Sequence, residues 1–345
     1  MKKWLFSAPI DLTVFGGTAL VALILVALLP AHESGPFTFV AGVVLVDVAH
    51  VWSTAFVVYL DPAEWRRRPA VYAGVPIACF IAGIGLYACG EGAFWRAIAY
   101  LAVFHFIRQQ YGWVMMYRAR NGERDRLGRM LDGATIYLAT LYPIAWWHTQ
   151  LPRAFSWMKD GDFATGIPAW IARALGLAYV AALVLYLVRA MWQLATRRSV
   201  SWGKHLIVAT TAACWYVGIV ATNNDYAFTI TNVFIHGIPY MVLVFLYARR
   251  AAKEPASEHG VAARLLRKRG LLVFGATLWF VAYLEEMLWD RALWHDHGGI
   301  FGGGVQVGWF AMIIAPLLAV PQLTHYVLDG FLWKRTRNPR FGRLF

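Results

Sequence analysis

Charge is scarce in this chain. Only 15% of its 345 residues are Asp, Glu, Lys or Arg, against about 25% in an ordinary soluble protein, and that excludes a solvated globule. Acidic residues are the scarcer sign, 19 against 32 basic ones, for a net charge of +13. An excess of cations can mark a nucleic-acid partner, but here they fall in short loops between apolar runs, which excludes one. Cysteine is nearly absent. Cys79, Cys89 and Cys214 show no CxxC spacing, so neither a disulfide framework nor a thiolate metal site is written here. A metal would have to use histidine and carboxylate. The sequence has no Walker A loop, no GxGxxG in a strand–helix context, no GxSxG, no paired HxxxH or HxxHH box and no evident internal repeat.

Apolar residues fill the space these absences leave: 59% of the chain is hydrophobic and 16% aromatic, with a mean hydropathy of +0.51. A membrane-crossing helix needs about 20 mostly apolar residues, and ten such runs are read at 11–30, 37–60, 71–89, 94–117, 131–147, 169–191, 205–222, 228–247, 270–294 and 306–333. The first follows Lys2 and Lys3, yet its apolar stretch exceeds the roughly 7–15 residues of a cleavable signal core, and it is read as a retained helix.

Cations sort between the loops as the positive-inside rule requires. One side carries Lys2, Lys3, Arg66, Arg67, Arg68, the five Arg of 118–129, Arg189, Arg197, Arg198, Lys204, the seven cations of 249–269 and the five after 333. The other side carries only Arg96, Arg153, Lys159 and Arg291. The expectation is therefore an all-α, ten-span membrane bundle, one domain over 1–345, in a membrane of the bacterial inner (cytoplasmic) type with both termini in the cytoplasm.

Ionisable residues inside a membrane are costly, so they are candidates for function. His50, His105, His236 and His325 lie well inside four expected spans, on helices that all run from outside to inside. Counted from the inner helix ends, their depths agree to within a few residues, at about 12–18 Å for a 1.5 Å rise. Each has a polar neighbour at helical spacing: Asp47 three residues before His50, Asp329 four after His325, Arg108 and Gln109 after His105, and Asn232 and Tyr240 four residues either side of His236. Residues three or four apart share a helix face.

Imidazole nitrogen with carboxylate oxygen is the ligand set of non-haem iron and zinc sites. The expected metal residues are His50, His105, His236, His325, Asp47 and Asp329, binding one ion with the carboxylates orienting its ligands, or two ions with the carboxylates as ligands. Alternatively, Asp47 serves as the counter-ion of Arg108. Arg108, Gln109 and Tyr240 are the expected groups for positioning oxygen or substrate. The function expected is a membrane metalloenzyme using non-haem iron to oxidise, desaturate or cleave a lipophilic small molecule, with membrane lipids around it and an electron donor as partner. Zinc and haem b are the alternative cofactors. A haem-bearing electron-transfer subunit and a His/Asp proton- or cation-coupled transporter are the alternative functions. His32, His148, His205, His295, His297 and the Glu285–Glu286 pair are secondary candidates.

Overall fold

The computed structural model describes residues 4–28, 35–196, 200–257, 259–267 and 270–344. Lys2, Lys3, His32, Arg197, Arg198, Lys268 and Arg269 lie outside them. Among the described residues all regular structure is helical, which is how a chain in hydrocarbon satisfies its backbone polar groups internally. The long helices are α1 (Ala8–Leu28), α2 (Phe39–Val57), α3 (Pro69–Ala88), α4 (Glu91–Asn121), α5 (Arg126–Thr149), α6 (Ala169–Ala195), α7 (Trp202–Ala221), α8 (Asp225–Ala251), α9 (Gly270–Trp294) and α10 (Gly308–Leu332). Each apolar run of the sequence falls on one of them. Eight are long and apolar enough to cross a membrane, which marks an integral membrane protein. The two others, α4 and α5, are diluted by Arg96, His105, Arg108, Gln109 and Gln110 and by Arg126, Arg129, Asp132 and His148.

Local chemistry sets several helix boundaries. Asp125 caps α5 by accepting the Gly128 amide at 2.8 Å, satisfying one of the orphan donors of a first turn. Asp11 in α1 folds the preceding turn onto itself, taking the Leu5, Phe6 and Ser7 amides at 2.7, 3.0 and 3.3 Å.

Two compact units make up the chain: residues 1–35 with 99–236, and residues 36–98 with 237–345. The first unit has a core rich in aromatic rings, among them Phe106, Trp147, Phe155, Phe163, Trp215 and Phe228. At the ends of α4–α7 it also holds an ion network, buried at Arg118, Asp132 and Lys204. Arg118 bonds Asp132 and Glu123, Lys204 reaches Glu123 at 2.6 Å and Asp132 at 3.0 Å, and Arg189 reaches Asp125 at 2.9 Å and Asp132 at 3.3 Å. Three cations thus face three carboxylates, and that balance is what makes burying them tolerable.

In the second unit, α2 packs on α9 and α3 on α10. Small residues permit the closest approaches: a Cβ at Gly83 would sit 2.9 Å from Pro316, and one at Gly237 would sit 2.7 Å from Val46. The first half of α2, Phe39–Val48, winds as a π-helix before regular winding resumes at Ala49. Near its centre α10 breaks at Ala319, between Ala311–Leu318 and Val320–Leu332, where Pro316 and Pro321 withhold backbone donors. Beyond α10, Arg340 ties the chain end down by ion pairs to Asp61 at 2.6 Å and Glu254 at 2.7 Å.

Candidate metal centre

α2 presents His50 two residues after its π-wound stretch ends. α4 and α8 present His105 and His236, whose ring centres stand 5.1 Å apart at 80°. His325, on the second half of α10, lies 4.9 Å from His50 at 82°. All four are buried, at 1%, 5%, 0% and 1% exposure in sequence order. One ring nitrogen from each lies within 4.8 Å of the other three. Imidazoles bound to one ion at about 2.1 Å place their nitrogens about 3–4 Å apart. The group could hold a metal ion, and the donor set suits zinc, iron or copper.

The carboxylates expected beside these histidines stand behind them. Asp47 is 3.6 Å from Nδ1 of His50 and Asp329 is 3.8 Å from Nδ1 of His325, both beyond hydrogen-bond length. Thr54 comes closer, with Oγ1 2.8 Å from Nδ1 of His325 and 3.1 Å from the Tyr240 hydroxyl. Tyr240 donates to Oδ1 of Asp329 at 2.5 Å, and Trp333 donates to the same oxygen at 3.1 Å.

These contacts have one consistent direction. An ionised carboxylate only accepts, so the Tyr240 proton points to Asp329. If Asp329 is ionised and Thr54 gives its proton to Tyr240, which also accepts from Trp333 at 3.3 Å, the Thr54 oxygen is left to accept from Nδ1–H of His325. In that arrangement Asp329 is linked to His325 through two hydroxyls, and the lone pair of the imidazole lies on Nε2. The helical spacing of Asp329 and His325 anticipates the coupling between them. Nothing in the spacing singles out Thr54, because threonine is a common residue on membrane helices.

His236 is held from two directions. The Phe106 ring stacks on it at 3.6 Å and 6°, fixing the plane of the imidazole. The Gln109 amide donates to the His236 carbonyl at 2.8 Å, and that of Gln110 donates to the Ile235 carbonyl at 3.4 Å. Pro239 explains the second contact. It lacks the N–H that would otherwise bond the carbonyl four residues back, so α4 supplies a donor instead. The Oε1 atom of Gln109 is buried and has no hydrogen-bond partner among the described residues.

Arg108 lies 5.0 Å from the Tyr111 ring centre and donates to the Tyr137 hydroxyl. Asn232 donates to the Phe228 carbonyl at 2.9 Å, within its own helix. Glu285 and Glu286 are both buried, and Glu285 accepts from Trp52 and from Trp289. His297 stacks on Phe39 at 3.6 Å and faces Asp290 at 3.5 Å, while His295 takes a left-handed conformation at φ 60°. His205 pairs with the Tyr186 hydroxyl at 2.7 Å.

An all-helical protein with eight helices able to cross a membrane and a buried four-imidazole group able to hold a metal ion is the class that fold and site define. No family model, no curated protein and no solved structure matches the chain.

Proposed function

We propose that His50, His105, His236 and His325 bind one redox-active transition metal ion, most simply non-haem iron, and that the protein is a membrane enzyme that oxidises, desaturates or cleaves a lipophilic substrate. The observation that carries the proposal is the approach of four buried ring nitrogens to within 4.8 Å of one another. Residues that merely glue helices together have no reason to meet at one point. His325 ligates through Nε2, with Nδ1 held by Thr54, and His50 does so with Asp47 behind it. The carboxylates orient ligands and do not ligate, which favours one ion over two. Tyr240 and the Oε1 atom of Gln109 are the polar groups beside the ligands that can meet substrate or oxygen, while Arg108 steadies the neighbouring helix face.

Four histidines well inside long helices, three of them apolar enough to cross a membrane, support a lipophilic substrate, because such a depth, about 15 Å from the bilayer faces, is reached from lipid more readily than from water. We further propose that all ten helices span, with both termini in the cytoplasm, since that arrangement gathers the cations on one side.

Elemental analysis and an absorption spectrum of the purified protein test the metal. About one transition-metal ion per chain is expected, lost on replacing any one of the four histidines by leucine, with no Soret band. A folded protein without metal would end the proposal, and a Soret band would replace it with haem.

A further inference from the structure

At the C-terminal end of α5 lies a tyrosine–histidine pair that the proposed metal centre does not use. The Tyr100 oxygen on α4 is 2.7 Å from Nε2 of His148. Nδ1 of that imidazole is 2.7 Å from the Ile144 carbonyl oxygen, which can only accept. The hydrogen of the neutral ring therefore sits on Nδ1, and Nε2 holds the lone pair. The phenol donates to His148, and its oxygen accepts the Ala164 amide at 3.1 Å.

Aromatic rings lead from this pair toward His236. Phe163 stacks on His148 at 4.6 Å and on Tyr100 at 5.2 Å. Trp157 is 6.3 Å from Phe163 and 5.2 Å from Phe106. Phe106 is the ring that lies flat on His236 at 3.6 Å. Packing alone would be served by aliphatic side chains as well as by rings, and it would not require a phenol aimed at the lone pair of a buried imidazole.

We propose that Tyr100 is a redox-active tyrosine with His148 as its proton acceptor, joined to the histidine centre through Phe163, Trp157, Phe106 and His236. The oxidant rests on the metal proposed above, whereas the Tyr100–His148 pair does not. One electron leaves Tyr100 for the oxidised metal ion, which is reduced by one unit. The phenolic proton moves at the same time to Nε2 of His148. A neutral phenoxyl radical and an imidazolium result, the imidazolium donating to the Tyr100 oxygen and to the Ile144 carbonyl. A one-electron donor and return of the proton restore the pair. A proton acceptor at 2.7 Å is within the reach such a transfer requires.

Two measurements separate the pair from its connection. In the first, metal-free protein is oxidised by photogenerated ruthenium(III) tris-bipyridine and monitored by electron paramagnetic resonance and transient absorption. A neutral tyrosyl radical is expected, absent in Tyr100→Phe and formed about a hundredfold more slowly in His148→Gln, the scale of a positioned proton acceptor. A radical unchanged in Tyr100→Phe, or none at all, overturns the pair. In the second, iron-loaded protein is treated with hydrogen peroxide and freeze-quenched. The same radical is expected, with its yield reduced in Trp157→Phe at equal iron content. Equal yields overturn the connection. Failure to take up iron overturns the metal proposal and with it the connection, while the first measurement still decides the pair.

Discussion

At the scale of single residues, the proposed centre would depend on side chains that touch no metal. Asp329 is connected to His325 through Tyr240 and Thr54, although the carboxylate itself stands 3.8 Å from the ring nitrogen. Groups that orient metal ligands in this way are worth about 10–100-fold in metal affinity. Asp329→Asn and Thr54→Val should each weaken binding by about that factor with the helix content unchanged, as read by competitive chelator titration. Unaltered affinity in both would mean that His325 needs no orientation. The pairing of Asp329 with His325 and of Asp47 with His50 is legible in the sequence because i,i+3 and i,i+4 neighbours share a helix face. Thr54 and Phe106 are not, since their contacts depend on how helices are rotated about their axes, which hydropathy does not encode.

At the scale of elements, α2 and α8 position two of the four clustered histidines by irregularity. The π-wound stretch of α2 includes Asp47 and ends just before His50, and such widened turns often lie at functional sites. α8 carries Gly237 directly after His236, against Val46 of that stretch. Gly237→Val would force Val46 aside, and an overpacked contact costs about 1–3 kcal/mol. Lower thermal stability in detergent, together with loss of bound metal, is the expected outcome. Unchanged stability and metal content would show that the approach of α8 to α2 can yield without consequence. The break in α10 could be anticipated from Pro316 and Pro321. The π winding could not, because in Phe39–Val48 only Gly42 and Asp47 interrupt the apolar residues, and neither marks a widened turn.

At the scale of the whole molecule, hydropathy located every long helix, because length and apolarity are what a bilayer demands. It did not anticipate the ion network, since Asp132 reads from sequence as an ordinary residue near a helix end. Topology remains the most direct whole-chain experiment. Reporters fused after residues 62, 122, 200 and 258 should report cytoplasm, and those near 34, 92, 160, 224 and 299 the opposite side. Two or more reversals would remove the ten-span arrangement. The ion network has a consequence for biosynthesis as well. Its members leave the ribosome in sequence: Arg118, Glu123, Asp125 and Asp132 first, Arg189 later and Lys204 last. Until α7 arrives, Glu123 and Asp132 lack the Lys204 ammonium that bonds both in the folded chain. The network therefore closes in time as well as in space: Arg118 can meet Asp132 and Glu123 once α5 follows α4, and Lys204 completes the set only when α7 is made.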